Sequence, residues 1–244
     1  MKSPVPNAKL LKYPAGNIYQ GYGENPALYI PWGLAFHNGI DIATFEGDKC
    51  VAVVKGIVVD VILNPTTGYG NSVVIVSDIQ PDGTYFCFRY AYLRADIPVS
   101  VGQEVNEGDL VGYMSNTGFV ISGQTQFFGN APANRGVHLH FGIQILTDPD
   151  PSVSGGVYYP LVKKAFTIKN YNNGVHGAVD PMLYLNTMLD LYKEIGREST
   201  FAKVNGKYLW ISYERMQDFI AAGLARWEDV KEISDKIIQE GVIS

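Results

Sequence analysis

Between Gly136 and Ile145 apolar and polar residues alternate without a break. Val137, Leu139, Phe141, Ile143 and Ile145 fall on one face, and His138, His140, Gly142 and Gln144 on the other. A period of two marks a half-buried β-strand, so one face anchors in a core while both imidazoles point the same way. Further β-rich runs cover residues 51–54, 56–63, 72–79 and 84–92, separated by Asn64-Pro65, Gly68-Tyr69-Gly70 and Pro81-Asp82-Gly83. Residues 101–114 add two short strands with glycine turns. Short strands at regular spacing with turn residues between them predict a mainly β protein, an antiparallel sandwich or barrel.

The remaining stretches read differently. Residues 13–32 are rich in Gly, Pro, Asn and Tyr and predict an irregular lead-in, whose Tyr19, Tyr22 and Tyr29 either line a groove or simply pack. The polar stretch 119–135 predicts a long loop running into the histidine strand and forming one wall of a cleft. Residues 148–156 read as a linker or exposed loop. Met182, Leu185, Met188, Leu189 and Tyr192 recur at helical spacing and predict a helix over residues 181–195. Beyond it, residues 203–211 predict a hairpin around Asn205-Gly206. Two apolar stripes, Met216, Phe219, Ile220 and Leu224, then Trp227, Val230, Ile233 and Ile237, predict two short helices. The chain therefore divides into a β domain over residues 1–196 and a small α+β module over residues 197–244, with room for that module to dock on a partner.

Composition narrows the class. With 46% hydrophobic and 12% aromatic residues in 244, the chain can bury one full core and a small second module. Nineteen basic residues against 24 acidic ones give a formal net charge of −5, so nothing in the balance suggests the broad electrostatic grip that nucleic acid or an anionic membrane requires, and neither is the expected partner. No apolar run reaches the length of a signal peptide or a membrane span. Cys50 and Cys87 sit in apolar, strand-like surroundings, so two core thiols are expected, although a single disulfide also fits.

Candidate chemistry lies upstream of the histidine strand, at His37-Asn38-Gly39-Ile40-Asp41. A histidine and a carboxylate flank a glycine that lets the backbone pass close to a ligand. His37, Asp41 and one of the two later histidines make a nitrogen and oxygen donor set of three. Catalytic zinc sites use that count and that chemistry and keep a further position for water. The chain has four histidines, and the fourth, His176, lies in the loop Asn172-Asn173-Gly174-Val175-His176-Gly177.

The early His-x-x-x-Asp and late His-x-His pattern resembles the lysostaphin and LytM type zinc metallopeptidases, which cut peptide bonds in peptidoglycan. Supporting pieces fall in the family order at residues 53–58, 68–75, 101–112 and 115–118. The resemblance implies that His37, Asp41 and His140 bind one zinc ion and that His138 is a catalytic histidine beside it. Where the family has Tyr-x-His-Leu, this chain has Tyr90-Ala91-Tyr92-Leu93, and no histidine lies between His37 and His138. A phenol that titrates near pH ~10 donates a hydrogen bond to a developing oxyanion but is no cationic acid at neutral pH.

The expected function is zinc-dependent hydrolysis of peptidoglycan peptides, at the cell wall or from a phage particle, since the lead-in also resembles phage members of the family. Two alternatives stay open: a peptidoglycan-binding protein impaired in catalysis by Tyr92, and a virion structural protein that keeps the zinc site. His176 enters the site only if its loop folds back over the cleft.

Overall fold

The computed structural model describes residues 1–185 and, beyond them, the backbone of residues 190–194, 200–204, 207–211 and 231–233. The chain falls into two compact units, Met1–Leu185 and Asn186–Ser244. In the first unit the strands are β1 (Ile18–Gln20), β2 (Ile40–Ile42), β3 (Lys49–Val51), β4 (Gly56–Ile62), β5 (Asn71–Ser77), β6 (Tyr85–Leu93) and β7 (Glu104–Val105). They continue with β8 (Leu110–Tyr113), β9 (Phe119–Ser122), β10 (Thr125–Phe128), β11 (Leu139–Thr147), β12 (Gly156–Tyr159), β13 (Lys164–Ile168) and β14 (Ala178–Val179). The main sheet is antiparallel and runs β1-β2-β11-β6-β5-β4-β7, with β13 and β14 joined to the far part of β11. The expected mainly β, antiparallel architecture is what the chain adopts.

Alternation along β11 and β6 splits this sheet into two unlike faces. Ile40, Ile42, Ile75, Phe88, Tyr90, Leu139, Phe141 and Ile143 are buried to within 1% on one face and make the main core. Each such side chain withdrawn from water contributes about 1.5–3 kcal/mol. The Phe88 and Phe141 rings stack at 5.9 Å, and Tyr90 meets Phe141 edge-on at 5.1 Å. At one end of the opposite face Val59, Val74, Val76, Cys87 and Leu146 pack under Phe166 of the β12–β13 hairpin. The other end, with His138, His140, Gly142 and Gln144, is left for a site.

Several predicted elements differ from those observed. The strand expected at 51–54 lies earlier, at Lys49–Val51, because the Val53 amide donates to the Tyr90 hydroxyl (3.1 Å) and the Ala52 amide to the Asp109 carbonyl (2.9 Å). Residues 119–135 are not all loop: Phe119–Ser122 and Thr125–Phe128 pair as a hairpin whose turn holds Gly123 at φ +66°. Residues 148–156 lead into the β12–β13 hairpin, which sequence periodicity did not reveal.

The helix expected over 181–195 is absent at both ends. Pro181–Leu183 is a single 3₁₀ turn, capped where the Asp180 carboxylate accepts from the Met182 amide at 2.9 Å. Asp190–Glu194 is instead a strand, β15, because pairing with β16 (Thr200–Val204) and, in parallel, with β18 (Lys231–Ile233) outweighs its helical spacing. The expected hairpin is present, with β16 paired to β17 (Lys207–Ile211). Ile233, assigned to a helical stripe, lies in β18, and the stripe from Met216 to Leu224 falls outside the described residues. Cys50 and Cys87 are both free thiols and buried, Cys87 with its sulfur 3.6 Å from the Tyr159 hydroxyl. Burial pushes both thiols above their ordinary titration range.

Candidate metal centre

Strand register brings the donors together. β2 pairs with β11 so that Asp41 stands directly opposite His140, between the pairs Ile42–Leu139 and Ile40–Phe141. Asp41 Oδ1 is 3.1 Å from His140 Nδ1 and 3.1 Å from His37 Nε2, and the two ring nitrogens are 3.0 Å apart. Donors on a tetrahedral zinc at 2.0–2.2 Å would lie roughly 3.3–3.6 Å from one another, so this triangle fits one such cation with slight expansion. His37 Nδ1 is 2.9 Å from the Gly21 carbonyl. Donation there leaves the Nε2 lone pair for the centre, an orientation typical of metal-binding imidazoles. Gly39 allows the close passage: a Cβ there would lie 2.6 Å from the Phe141 carbonyl and 2.8 Å from the His140 ring.

Electrostatics agree with a cation-binding pocket. Burial works against the charge on Asp41, yet His37 and His138 beside it and hydrogen bonds from His140 and His37 hold its carboxyl well below the ordinary range. Burial also opposes protonation of His37, but the Asp41 charge and hydrogen bond and the Gly21 carbonyl outweigh it, leaving its pKa raised. His140, more deeply enclosed, is pushed down by burial to about 4. A largely enclosed carboxylate flanked by imidazoles therefore stays ionised, the state in which it could bind a metal.

His138 and Tyr92 flank the triangle. His138 Nδ1 is 2.8 Å from the Gly136 carbonyl, which directs Nε2 to the centre, 3.9 Å from Asp41 Oδ1. Tyr92 reaches the same face through a bulge. In the β5–β6 ladder the register passes from Asn71–Leu93 to Val73–Tyr90, so β6 has one residue too many. Tyr92 takes up the excess in the left-handed region, φ +61°, which a tyrosine rarely adopts. Simple alternation would send Tyr92 into the core with Tyr90; the bulge instead sets its ring 4.4 Å from that of His138. Burial, then the Asp41 charge and neighbouring phenols, keep the Tyr92 hydroxyl protonated far above its ordinary range.

A groove of about 1190 Å³ opens over the site, lined by Asp41, Tyr69, Tyr92, His138, Tyr29 and His176 among others. The β9–β10 hairpin supplies one wall, with Phe119 5.4 Å from Trp32 and 5.0 Å from Phe128. Tyr19 and Tyr29 of the lead-in line the groove, whereas Tyr22 packs edge-on against Phe36 and donates to the Ala178 carbonyl at 2.9 Å. His176 does reach the groove, in a left-handed loop conformation (φ +54°) braced where Asn173 Oδ1 accepts from the amides of Val175 and Gly177.

The sequence leaves Tyr29 open between groove and packing, and Tyr69 and Arg89 are not evident from it. Tyr29 stacks on the His37 ring at 5.2 Å and receives a hydrogen bond from Gln20. Tyr69 lies 5.1 Å from the His140 ring, its hydroxyl held by the Asn38 amide at 2.7 Å. Arg89 sits 5.1 Å over the Tyr69 ring. In sequence Gly68-Tyr69-Gly70 reads as a turn, and the aromatic between its glycines is the one signal it offers.

An antiparallel sheet thus carries a His/Asp/His triangle whose Asp41 lines the groove. Residues 35–151 match the model of Peptidase family M23, which supports a LytM-type peptidase domain there. The chain is 26% identical over 160 residues to Endolysin 2638A of Staphylococcus phage 2638A, covering 66% of this chain but only 29% of that protein. Among solved structures it is similar to the catalytic domain of lysostaphin from Staphylococcus simulans (22% identity, 68% of this chain and 88% of that one, TM-score 0.40). It is also similar to a zinc-containing peptidase from Vibrio cholerae (28% identity, 52% and 32%, TM-score 0.37). Among the described residues no helix is long and apolar enough to cross a membrane.

Proposed function

We propose that this chain is a zinc-dependent endopeptidase that hydrolyses peptide bonds in peptidoglycan, acting at the cell wall as part of a phage or bacterial lytic system. The observation that carries the reading is the convergence of His37 Nε2, Asp41 Oδ1 and His140 Nδ1 on one point, with an imidazole and a phenol beside it. Those three residues would hold zinc, which when bound supplies Lewis acidity toward a carbonyl and lowers the pKa of a water.

The chain's own groups account for the rest of the reaction. His138 Nε2 faces the centre, accepts the proton of the attacking water and returns it to the leaving amine. Tyr92, protonated throughout the physiological range, donates its hydrogen bond to the oxygen on which negative charge develops. The aromatic groove walls hold an extended peptide in register with these groups and exclude water around it.

The test is to load wild type and His140→Ala with zinc and count new amine ends released from purified cell walls. Wild type should bind one zinc and release amines, and the variant should lose both together. Full activity in His140→Ala, or wild-type binding to walls without new amine ends, would remove the enzyme reading; the latter would favour a peptidoglycan-binding protein.

A further inference from the structure

Behind His140, on the side away from Asp41, lies a second pocket of about 120 Å³, lined by Asn38, Tyr69, Arg89, His140, Gln144 and His176 among others. The sheet explains it. Arg89 pairs with Gly142 of β11 on one side and Val74 of β5 on the other, so it shares the His140 face. Gly142 has no side chain and leaves open the space beside the guanidinium. Tyr69 and His176 line both this pocket and the main groove, so a peptide lying in the groove can turn a substituent into it.

Arg89 is the cation of this pocket, half-buried, with the Tyr69 ring beneath it. Among the described residues no carboxylate pairs with it and no hydrogen bond holds it. A guanidinium left half-buried and unpaired is costly unless a ligand completes it, and its flat fork matches a carboxylate with two parallel hydrogen bonds. The Asn38 amide is engaged with Tyr69 and the Gln144 amide with the His176 carbonyl, so the walls are set in place and the guanidinium remains free.

We propose that this pocket is a carboxylate-recognition subsite, in which Arg89 grips a free carboxylate of the bound peptide. The proposal rests on the peptidoglycan reading for its substrate, and it deepens that reading: stem peptides carry free carboxylates, whereas glycine bridges carry none between their ends. The subsite therefore selects stem-peptide links over polyglycine.

The experiment is equilibrium binding, by calorimetry, of a stem tetrapeptide and of versions amidated at each carboxylate in turn, to the zinc-loaded full chain. One amidation should weaken binding roughly 10- to 100-fold, the range for a hydrogen-bonded charge. Arg89→Gln, with wild-type circular dichroism, should bind all versions equally, and Arg89→Lys should recover part of the preference. Should Arg89→Gln not fold, Gly142→Val, which fills the pocket and keeps the charge, should also lose it. Equal affinities across the wild-type series, absence of binding throughout, or a preference that survives loss of Arg89 or filling of the pocket would each overturn the subsite. Discrimination without cleavage of any peptide would leave the subsite standing and count against the endopeptidase instead.

Discussion

Asp41 and His140 form a directly opposed pair on neighbouring antiparallel strands, with Oδ1 and Nδ1 3.1 Å apart. Because side chains alternate with a period of two, sliding β2 by one residue would turn Asp41 into the core and put an isoleucine at the site. The ladder is thus part of the candidate metal site. Asp41→Asn keeps the backbone pairing and removes the charge. Its zinc affinity should fall by more than the ~10–100-fold that loss of an outer-shell partner costs. Competition against a chromogenic chelator measures it, and wild-type affinity in the variant would take Asp41 out of the ligand set.

Zinc binding should depend on pH through one proton over most of the acid range. Ligands bind as deprotonated groups, so protons compete wherever a metal-free ligand titrates. Asp41, held well below its ordinary range, does not compete near neutrality. His37 does: burial pulls its pKa down, but Asp41 more than compensates, so competition begins above the ordinary 6.5. His140, lowered to about 4, joins only there. Affinity should fall on acidification, approaching about tenfold per pH unit once the pH is below the raised His37 pKa, and more steeply near pH ~4. Calorimetric titrations across that range check the slope, and a flat response between pH ~7 and ~5 would contradict it.

Tyr92→Phe tests the phenol alone. The ring, its left-handed backbone and its contact with His138 all remain, while the hydroxyl is lost. If the hydroxyl stabilises the oxyanion, kcat should drop by ~10²–10³ with KM little changed. Because the phenol titrates far above its usual range, the wild-type rate should show no basic limb from Tyr92 below pH ~10. Unchanged kcat in the phenylalanine variant would assign the oxyanion contact to another group.

Much of this site is legible in the amino-acid sequence. Alternation from Val137 to Ile145 places His138 and His140 on one face, and the folded strand buries Leu139, Phe141 and Ile143 on the other as that pattern requires. What alternation does not carry is the bulge at Tyr92, because one extra residue reverses every later side chain and is set by pairing with β5. Arg89 is equally hidden, since its importance comes from facing Gly142 across a ladder between strands far apart in the sequence. The helix expected over 181–195 fails for a related reason. Leu185 is drawn into the main core while Asp190–Glu194 pairs in the second unit, and both tertiary demands override local spacing.

Two glycines beside the site make a final, paired prediction. A Cβ at Gly39 would lie 2.6 Å from the Phe141 carbonyl and 2.8 to 2.9 Å from His140 ring atoms. The carbonyl belongs to the β2–β11 ladder and the ring to the proposed ligand set, so neither can yield without disturbing the His37, Asp41 and His140 triangle. A Cβ at Gly142 would meet nothing nearer than 3.6 Å, an ordinary contact. Gly39→Ala should therefore lose about 1–3 kcal/mol of metal-free stability, the usual cost of overpacking, and should bind zinc more weakly as well. Gly142→Ala should keep both within about 0.5 kcal/mol. Urea unfolding of the metal-free variants and chelator competition measure the two effects separately. A Gly39→Ala protein as stable and as avid for zinc as Gly142→Ala would mean that β2 and β11 do not approach as closely as the ligand triangle demands.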